Sequence, residues 1–223
     1  KTSRTRRAWY VPGRLYDLAF GLILRGVRRR VVEAVSQAGS GPWLDVCCGT
    51  GSQFRGLGAR DGPKLTVGLD KSCGMVLYAA ARAPGLPFVC GDAARLPFKD
   101  GAFLSVTVSF GLHDKSPELR REMMRETRRV LARGGRLIAV DFENPWNAKS
   151  TIGAALARAI ERLAVGEHYR NGREFLERGG LRTFLAENGF DEEARHGVET
   201  GALGVVVARP ATDRACGAPP DGI

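Results

Sequence analysis

Two rhythms of apolar positions alternate along the chain. Leu18, Leu22, Val27, Val31 and Val35 recur near helical spacing and predict an amphipathic helix over 16–36. Gly39-Ser40-Gly41-Pro42 stops it, and Trp43-Leu44-Asp45-Val46-Cys47 reads as a short buried strand. A second strand over 64–69 ends at Asp70, and Ser72 is placed to cap a helix reaching about residue 83. A third, over 87–90, leads into Gly91-Asp92, and β-branched and small residues over 103–110 make a fourth. Pro117 opens a helix over 118–131, Gly134-Gly135 stop it, and residues 136–142 form a fifth strand. Strand and helix alternating in this way predict an α/β fold. The expected form is a Rossmann-like, doubly wound, mostly parallel sheet with helices on both faces.

Beyond residue 145 the rhythm changes. Residues 150–165 read as helix, and 174–188 as one or two more. Gly189-Phe190 leads into a strand through 193–196, and 202–208 forms the last. No crossover helix fits between these two, so an antiparallel C-terminal hairpin is expected at the sheet edge, completing seven strands. The expected organisation is a single domain over 1–209, with residues 1–36 as a helical segment over the site and 143–188 as a helical substrate insert. The Pro- and Gly-rich residues 210–223 are expected to be disordered.

At 223 residues, 43% apolar and 26% charged, the chain suits one soluble α/β domain. No apolar run reaches the ~18 residues of a membrane span. The basic start, Lys1 to Arg7, is not followed by a signal-type apolar core, and an opening on Lys is consistent with a trimmed start. The net charge of +10 is carried mostly by Arg. It permits contact with an anionic membrane or nucleic acid, although the charges are spread along many segments, as on an ordinary solvated surface. The five cysteines, at 47, 48, 73, 90 and 216, form no C-x-x-C pair and, with His scarce, no zinc set. They read as packed thiols in a reducing, cytoplasmic setting, and no metal site is expected.

The candidate site lies at strand ends. Gly49-Thr50-Gly51 after the first strand puts backbone amides where open α/β sheets bind ligands, but such a loop alone is unspecific. Two details narrow it. Phe54 stands where the dinucleotide fingerprint needs Gly or Ala, and Asp45 lies beside the loop. A carboxylate beside a pyrophosphate is a like-charge contact, whereas an ammonium and a sulfonium reverse the sign. The expected cofactor is therefore S-adenosyl-L-methionine rather than NAD. Asp70, ending the second strand, is placed to accept from ribose hydroxyls, and Asp92, after the third, from an adenine amine.

These stretches carry a family resemblance. Leu44-Asp45-Val46-Cys47-Cys48-Gly49-Thr50-Gly51, Gly68-Leu69-Asp70-Lys71-Ser72, Gly91-Asp92-Ala93-Ala94-Arg95-Leu96-Pro97-Phe98 and Leu131-Ala132-Arg133-Gly134-Gly135 resemble successive motifs of class I S-adenosylmethionine-dependent methyltransferases. Within these, the chain is similar to the ubiquinone/menaquinone C-methyltransferase group and its small-molecule relatives. The resemblance is specific over about residues 10–142. It implies that Asp45, Cys47, Gly49, Thr50 and Gly51 surround the methionine part and that Asp70, beside Lys71, binds ribose. Met75 would pack on adenine, Asp92 and Ala93 would edge it, and Ser109 and Phe110 would close the pocket from the fourth strand.

Methyl transfer is an in-line displacement in which positioning supplies much of the rate, and some acceptors also need a base. His113 after the fourth strand is the first candidate base, with Asp114 as its orienter; both also suit a helix cap. His168 and Tyr169, in the insert that forms a substrate lid in such enzymes, compete for that role. Tyr16 is placed to close over the methyl group. Trp9, Tyr10 and Trp146 suit an acceptor pocket or core packing equally. Glu167-His168-Tyr169-Arg170-Asn171-Gly172 departs from the Phe-Pro-rich stretch of the quinone enzymes. The expected acceptor is thus a small hydrophobic or amphipathic molecule, either a quinol-like ring or a lipid amine. The basic first helix suits peripheral contact with an anionic membrane. A nucleic-acid acceptor is disfavoured, because the fourth strand ends in Ser-Phe-Gly-Leu, without an Asn/Asp-Pro-Pro-aromatic element. An inactive scaffold of the same fold is disfavoured by the intact acids at 45, 70 and 92. The acceptor atom and the oligomeric state are not legible.

Overall fold

The computed structural model describes residues 24–56, 65–143, 167–197 and 203–211. Trp9, Tyr10, Tyr16, Trp146, Cys216, the start of the first helix, the helix expected over 150–165 and most of the expected tail lie outside them. The described elements run α1 (Arg25–Ala38), β1 (Trp43–Val46), a 3₁₀ turn (Ser52–Gly56), β2 (Thr66–Asp70), α2 (Cys73–Arg82) and β3 (Phe88–Cys90). Then follow β4 (Phe103–Ser109), α3 (Pro117–Val130), β5 (Leu131–Phe142), α4 (Glu167–Glu177), α5 (Gly180–Glu187), β6 (Phe190–Gly197) and β7 (Leu203–Pro210).

One sheet gathers seven strands in the order β3-β2-β1-β4-β5-β7-β6. The first five are parallel, and β7 runs antiparallel both to β5 and to β6. The Rossmann-like fold expected from the alternation is therefore present. The hairpin also forms, but its second strand is the inner one. Burial explains this order: Val205, Val206, Val207 and Ala208 are all buried, whereas β6 carries Asp191, Glu192 and Glu193 at the exposed margin.

Successive residues of each strand feed opposite cores. Leu44, Val46, Leu137 and Ala139 pack with Met123 and Met124 of α3 and with Phe175, Leu181 and Leu185 of α4 and α5. Trp43, Ile138, Val140, Val205 and Val207 pack with Val27, Val31 and Val35 of α1 on the other face. Local signals set the helix starts. Ser72 and Ser116 accept from Met75 N and Leu119 N as N-caps, and Pro117 occupies the first turn of α3. One boundary differs from expectation: α3 ends at Val130 and β5 starts at once at Leu131, so Gly134-Gly135 lie inside the strand. The irregular pairing between Phe103 and Ser105 absorbs them.

The cysteines also differ from an all-thiol set. Cys73 and Cys90 form a disulfide, while Cys47 and Cys48 are free. Parallel pairing sets Cys90 beside Asp70, three residues from Cys73, which spacing along the chain does not reveal.

Candidate active site

Parallel β1, β2 and β4 deliver their C-terminal ends to one edge of the sheet, and a cavity of about 370 Å³ opens there. Its wall includes Asp45, Cys47, Gly49, Thr50, Asp70, Lys71, Met75, Ser109 and Phe110, so most of the expected cofactor residues meet round one space. Leu24 just before α1, Val27 and Arg28 within it, and Gln53, Ser72 and Lys115 also line it, unforeseen. Gly51, Asp92 and Ala93 stand outside that wall.

The loop after β1 turns sharply. Gly49 and Gly51 take φ values of 51° and 66°, open to glycine without steric cost. Cys47 and Phe110 adopt φ of 61° and 55° although they carry side chains, and both border the cavity. Such backbone strain persists where the surroundings enforce it and is concentrated at functional sites. Phe54 packs edge-on against Trp43 at 5.1 Å and against Phe88 at 5.6 Å. It thus fills the space that the glycine of a dinucleotide fold leaves for close helix–strand approach.

Asp45 is buried. Trp43 Nε1 donates to Thr107 Oγ1 at 3.0 Å, and Thr107 Oγ1 donates to Asp45 Oδ1 at 2.5 Å. Burial pushes the Asp45 carboxyl up to about 7, against the lowering effect of Thr107 and with a smaller push from Asp70. Among the described residues no cation pairs with Asp45, and a positively charged ligand in the cavity would supply one. Asp70 Oδ2 accepts from Gly49 N and Oδ1 from Ser72 N, each at 2.8 Å. The glycine loop and the α2 cap fix that carboxylate, and its remaining lone pairs suit ribose hydroxyls. These features fit S-adenosyl-L-methionine: an acid short of a cation, an acid held for a diol, and a strained loop.

Asp92 accepts from Ala94 N at 3.0 Å and from Lys71 Nζ at 2.8 Å. The hydrogen bonds from Lys71 and Ala94 hold it below the usual carboxylate range. The Lys71 side chain is thus held by Asp92, the acid in the turn after β3.

The candidate bases of the sequence analysis follow β4 and lie on α4. His113 is buried, and its Nδ1 lies 2.7 Å from Asp141 Oδ1. Asp141, rather than the neighbouring Asp114, is the carboxylate that orients His113. Burial opposes its ionisation, but His113 and the amides of Leu112 and Phe142 outweigh that and hold its pKa low. An ionised Asp141 favours the hydrogen on Nδ1. Asp114 instead binds Lys115 Nζ at 2.5 Å and lies 3.5 Å from His168 Nδ1. The His168 and His113 rings meet edge-on at 5.8 Å, so the two candidate bases are neighbours. Desolvation lowers the pKa of His168. Tyr169 does not join them; it hydrogen-bonds Arg173 of its own helix.

Arg120 escaped sequence reading because an arginine in an amphipathic helix resembles a solvated face. Its side chain is 2% exposed. Nε donates to Leu112 O at 2.9 Å, Nη2 to His113 O at 3.1 Å and to Asn171 O at 2.6 Å, and Nη1 binds Glu174 at 2.6 Å. The guanidinium also lies over Phe175 at 4.8 Å. It clasps the His113 loop to α4.

Residues 44–135 match the family described as "Methyltransferase domain". The demethylmenaquinone methyltransferase of Beutenbergia cavernae is 41% identical over 138 residues, covering 59% of this chain and 55% of that protein. That of Thermotoga maritima is 40% identical over 135 residues, covering 60% and 57%. The chain thus spans a little over half the length of these curated relatives. Among solved structures, the mitomycin 7-O-methyltransferase superposes with a TM-score of 0.67 at 19% identity, covering 89% of this chain and 57% of the other. A SAM dependent methyltransferase from Aquifex aeolicus superposes with a TM-score of 0.60 at 15% identity, covering 89% and 98%. The latter two establish likeness of fold alone. The strand-end acids and the sheet order agree with these likenesses: residues 44–135 carry a methyltransferase domain, and the chain is similar over about 135 residues to demethylmenaquinone methyltransferases.

Proposed function

We propose that this methyltransferase alkylates a small, amphipathic, quinol-like ring, with His113 taking the proton that the reaction releases. The carrying observation is the buried His113–Asp141 pair, which stands outside the cavity wall but follows Gly111 of that wall by two residues, in a chain whose curated relatives are named demethylmenaquinone methyltransferases. When bound, S-adenosyl-L-methionine supplies an electrophilic methyl group on a cationic sulfur. Asp45 and Asp70 hold the two ends of that ligand, and the glycine loop fixes its position. Nε2 of His113 accepts a proton from the acceptor, and Asp141 stabilises the imidazolium that results. Arg120 ties α4 to the His113 loop, and His168 on that helix lies against His113, where it would border the acceptor. Arg25, Arg29 and Arg30 are exposed on α1, the helix whose Val27 and Arg28 line the cavity, which supports peripheral contact with an anionic membrane where such a ring would reside. Among the described residues no helix is long and apolar enough to cross a membrane.

Incubation with S-adenosyl-L-methionine and reduced demethylmenaquinone analogues, followed by mass analysis, is expected to give a product heavier by one methylene. Methylation of a phospholipid amine or of RNA, with no reaction of any quinol, would replace this reading with one of the alternatives. Vesicle flotation tests the membrane part: retention by anionic but not neutral vesicles is expected, and absence of binding to both removes it.

A further inference from the structure

The disulfide between Cys73 and Cys90 sits at the adenosine side of the cofactor site. Its two residues are 17 positions apart in sequence, have Cα atoms 5.1 Å apart, and are both exposed. Cys73 is the first residue of α2, directly after the Ser72 cap, and Cys90 is the last residue of β3, directly before Gly91-Asp92. The bond therefore joins the turn that carries the ribose acid to the turn that carries Asp92.

Little else holds those turns together. The β2–β3 ladder covers three residue pairs and ends at Asp70 opposite Cys90. Beyond it, Gly91 N donates to Asp70 O at 3.0 Å. The Lys71–Asp92 ion pair has side chains 74% and 43% exposed, and pairs so well solvated contribute little. A short edge strand with few partners opens readily. The covalent link adds to these contacts a constraint that thermal opening of the edge cannot release.

We propose that Cys73 and Cys90 form a redox-active pair, opened by dithiol reductants and closed by disulfide oxidants, whose state sets the affinity for S-adenosyl-L-methionine. In opening, a thiolate of the dithiol attacks one cysteine sulfur, the S–S bond breaks, and the departing cysteine thiolate takes up a proton. The dithiol's second thiolate then displaces the mixed disulfide, and the second cysteine is protonated in turn. Two cysteine thiols and one oxidised dithiol result, with two electrons transferred. Closing is the reverse, driven by a disulfide oxidant, with Cys73 as the attacking thiolate. Its place in the first turn of α2 exposes it to backbone amides and the positive end of the helix dipole, which favour the anion. The other two described cysteines are unsuited to such exchange. Burial raises both thiols, Cys47 to about 12, which keeps them protonated.

The closed pair presents a preorganised adenosine edge. The open pair must order two turns on binding, which weakens the cofactor by about three- to tenfold. The proposal depends on the cofactor site and not on the identity of the acceptor.

The test compares the protein before and after reduction by a dithiol. Alkylation under denaturing conditions counts the thiols, and calorimetric titration with S-adenosyl-L-methionine measures affinity in each state. Two additional alkylated cysteines, with affinity lowered three- to tenfold and restored on reoxidation, are expected. The Cys73→Ser/Cys90→Ser double variant is expected to bind like the reduced protein and to ignore reductant. Equal affinity in both states overturns the proposal, even if the melting temperature falls, because the bond is then only a staple. Full alkylation of Cys73 and Cys90 without reductant, after exposure to a disulfide oxidant, overturns it as well.

Discussion

Removing the charge of Asp45 tests the electrostatic core of the site. With its carboxyl pushed up to about 7 by burial, Asp45 is about half ionised at neutral pH before a ligand binds. A cationic ligand favours the anion and lowers that pKa on binding, so affinity is full above pH ~7 and falls as pH drops below it. Between pH ~8 and ~6 the ionised fraction falls from about 0.9 to about 0.1, roughly tenfold, or about 1.4 kcal/mol of binding free energy. The ligand's own α-amine gains protons over the same range and acts in the opposite direction, so the wild-type profile alone is ambiguous. Asp45→Asn removes the acid and keeps the shape. Calorimetric titration of both proteins from pH 5.5 to 8.5 isolates the carboxylate as the difference between the two curves. The variant is expected to bind more weakly at pH 8 and to approach the wild type near pH 6. Parallel profiles would refute the assignment of Asp45 as the cation partner. Stability without ligand should respond in the opposite sense. Because the folded pKa lies above the ordinary value of 3.8, the stability linked to protonated Asp45 is complete at low pH and lost as pH rises to about 7. Asp45→Asn should therefore melt higher than wild type at pH 8 when no cofactor is present.

Other substitutions separate binding, proton handling and folding. Asp70→Ala loses a charge-assisted contact of about 1.5–3 kcal/mol, so S-adenosyl-L-methionine affinity is expected to fall roughly 10- to 150-fold in a titration; unchanged affinity removes Asp70 from the ribose role. Asp141→Asn disturbs the tautomer and orientation of His113, so kcat should drop by about 100-fold while cofactor affinity stays within about twofold, measured by turnover and calorimetry on the same preparation. Arg120→Ala abandons the buried carbonyls of Leu112, His113 and Asn171 together with Glu174, and denaturant unfolding is expected to report a loss of about 3–5 kcal/mol.

Legibility in the sequence followed distance along the chain. Asp45 and the glycine loop are near neighbours, and Asp70 lies 21 positions beyond Gly49, to which it is bonded. A βαβ unit brings such strand ends together whatever the rest of the fold does, so their positions were readable. The partner of His113 was not. Asp141 is 28 residues away, in a strand otherwise read as plain core, while Asp114 offered a nearer carboxylate. Arg120 reaches Asn171 across 51 residues, and no periodicity marks a helical arginine as buried. The cysteine pair depended on the same kind of lateral fact, since β2 and β3 had to align at Asp70 and Cys90 before two scattered residues became partners.

Sequence by itself therefore determined what is local: which segments are strands and helices, where Ser72 caps and Pro117 opens a helix, and which acids end their strands beside a glycine turn. Backbone preference, apolar periodicity and charge sign operate over a few residues and need no knowledge of neighbours. Tertiary structure alone decided the inner place of β7, the Asp141–His113 pair, the Arg120 clasp and the Cys73–Cys90 bond. Each arises from side-by-side register between segments far apart in the chain, set by the packing of the sheet as a whole and not written in any single stretch of residues.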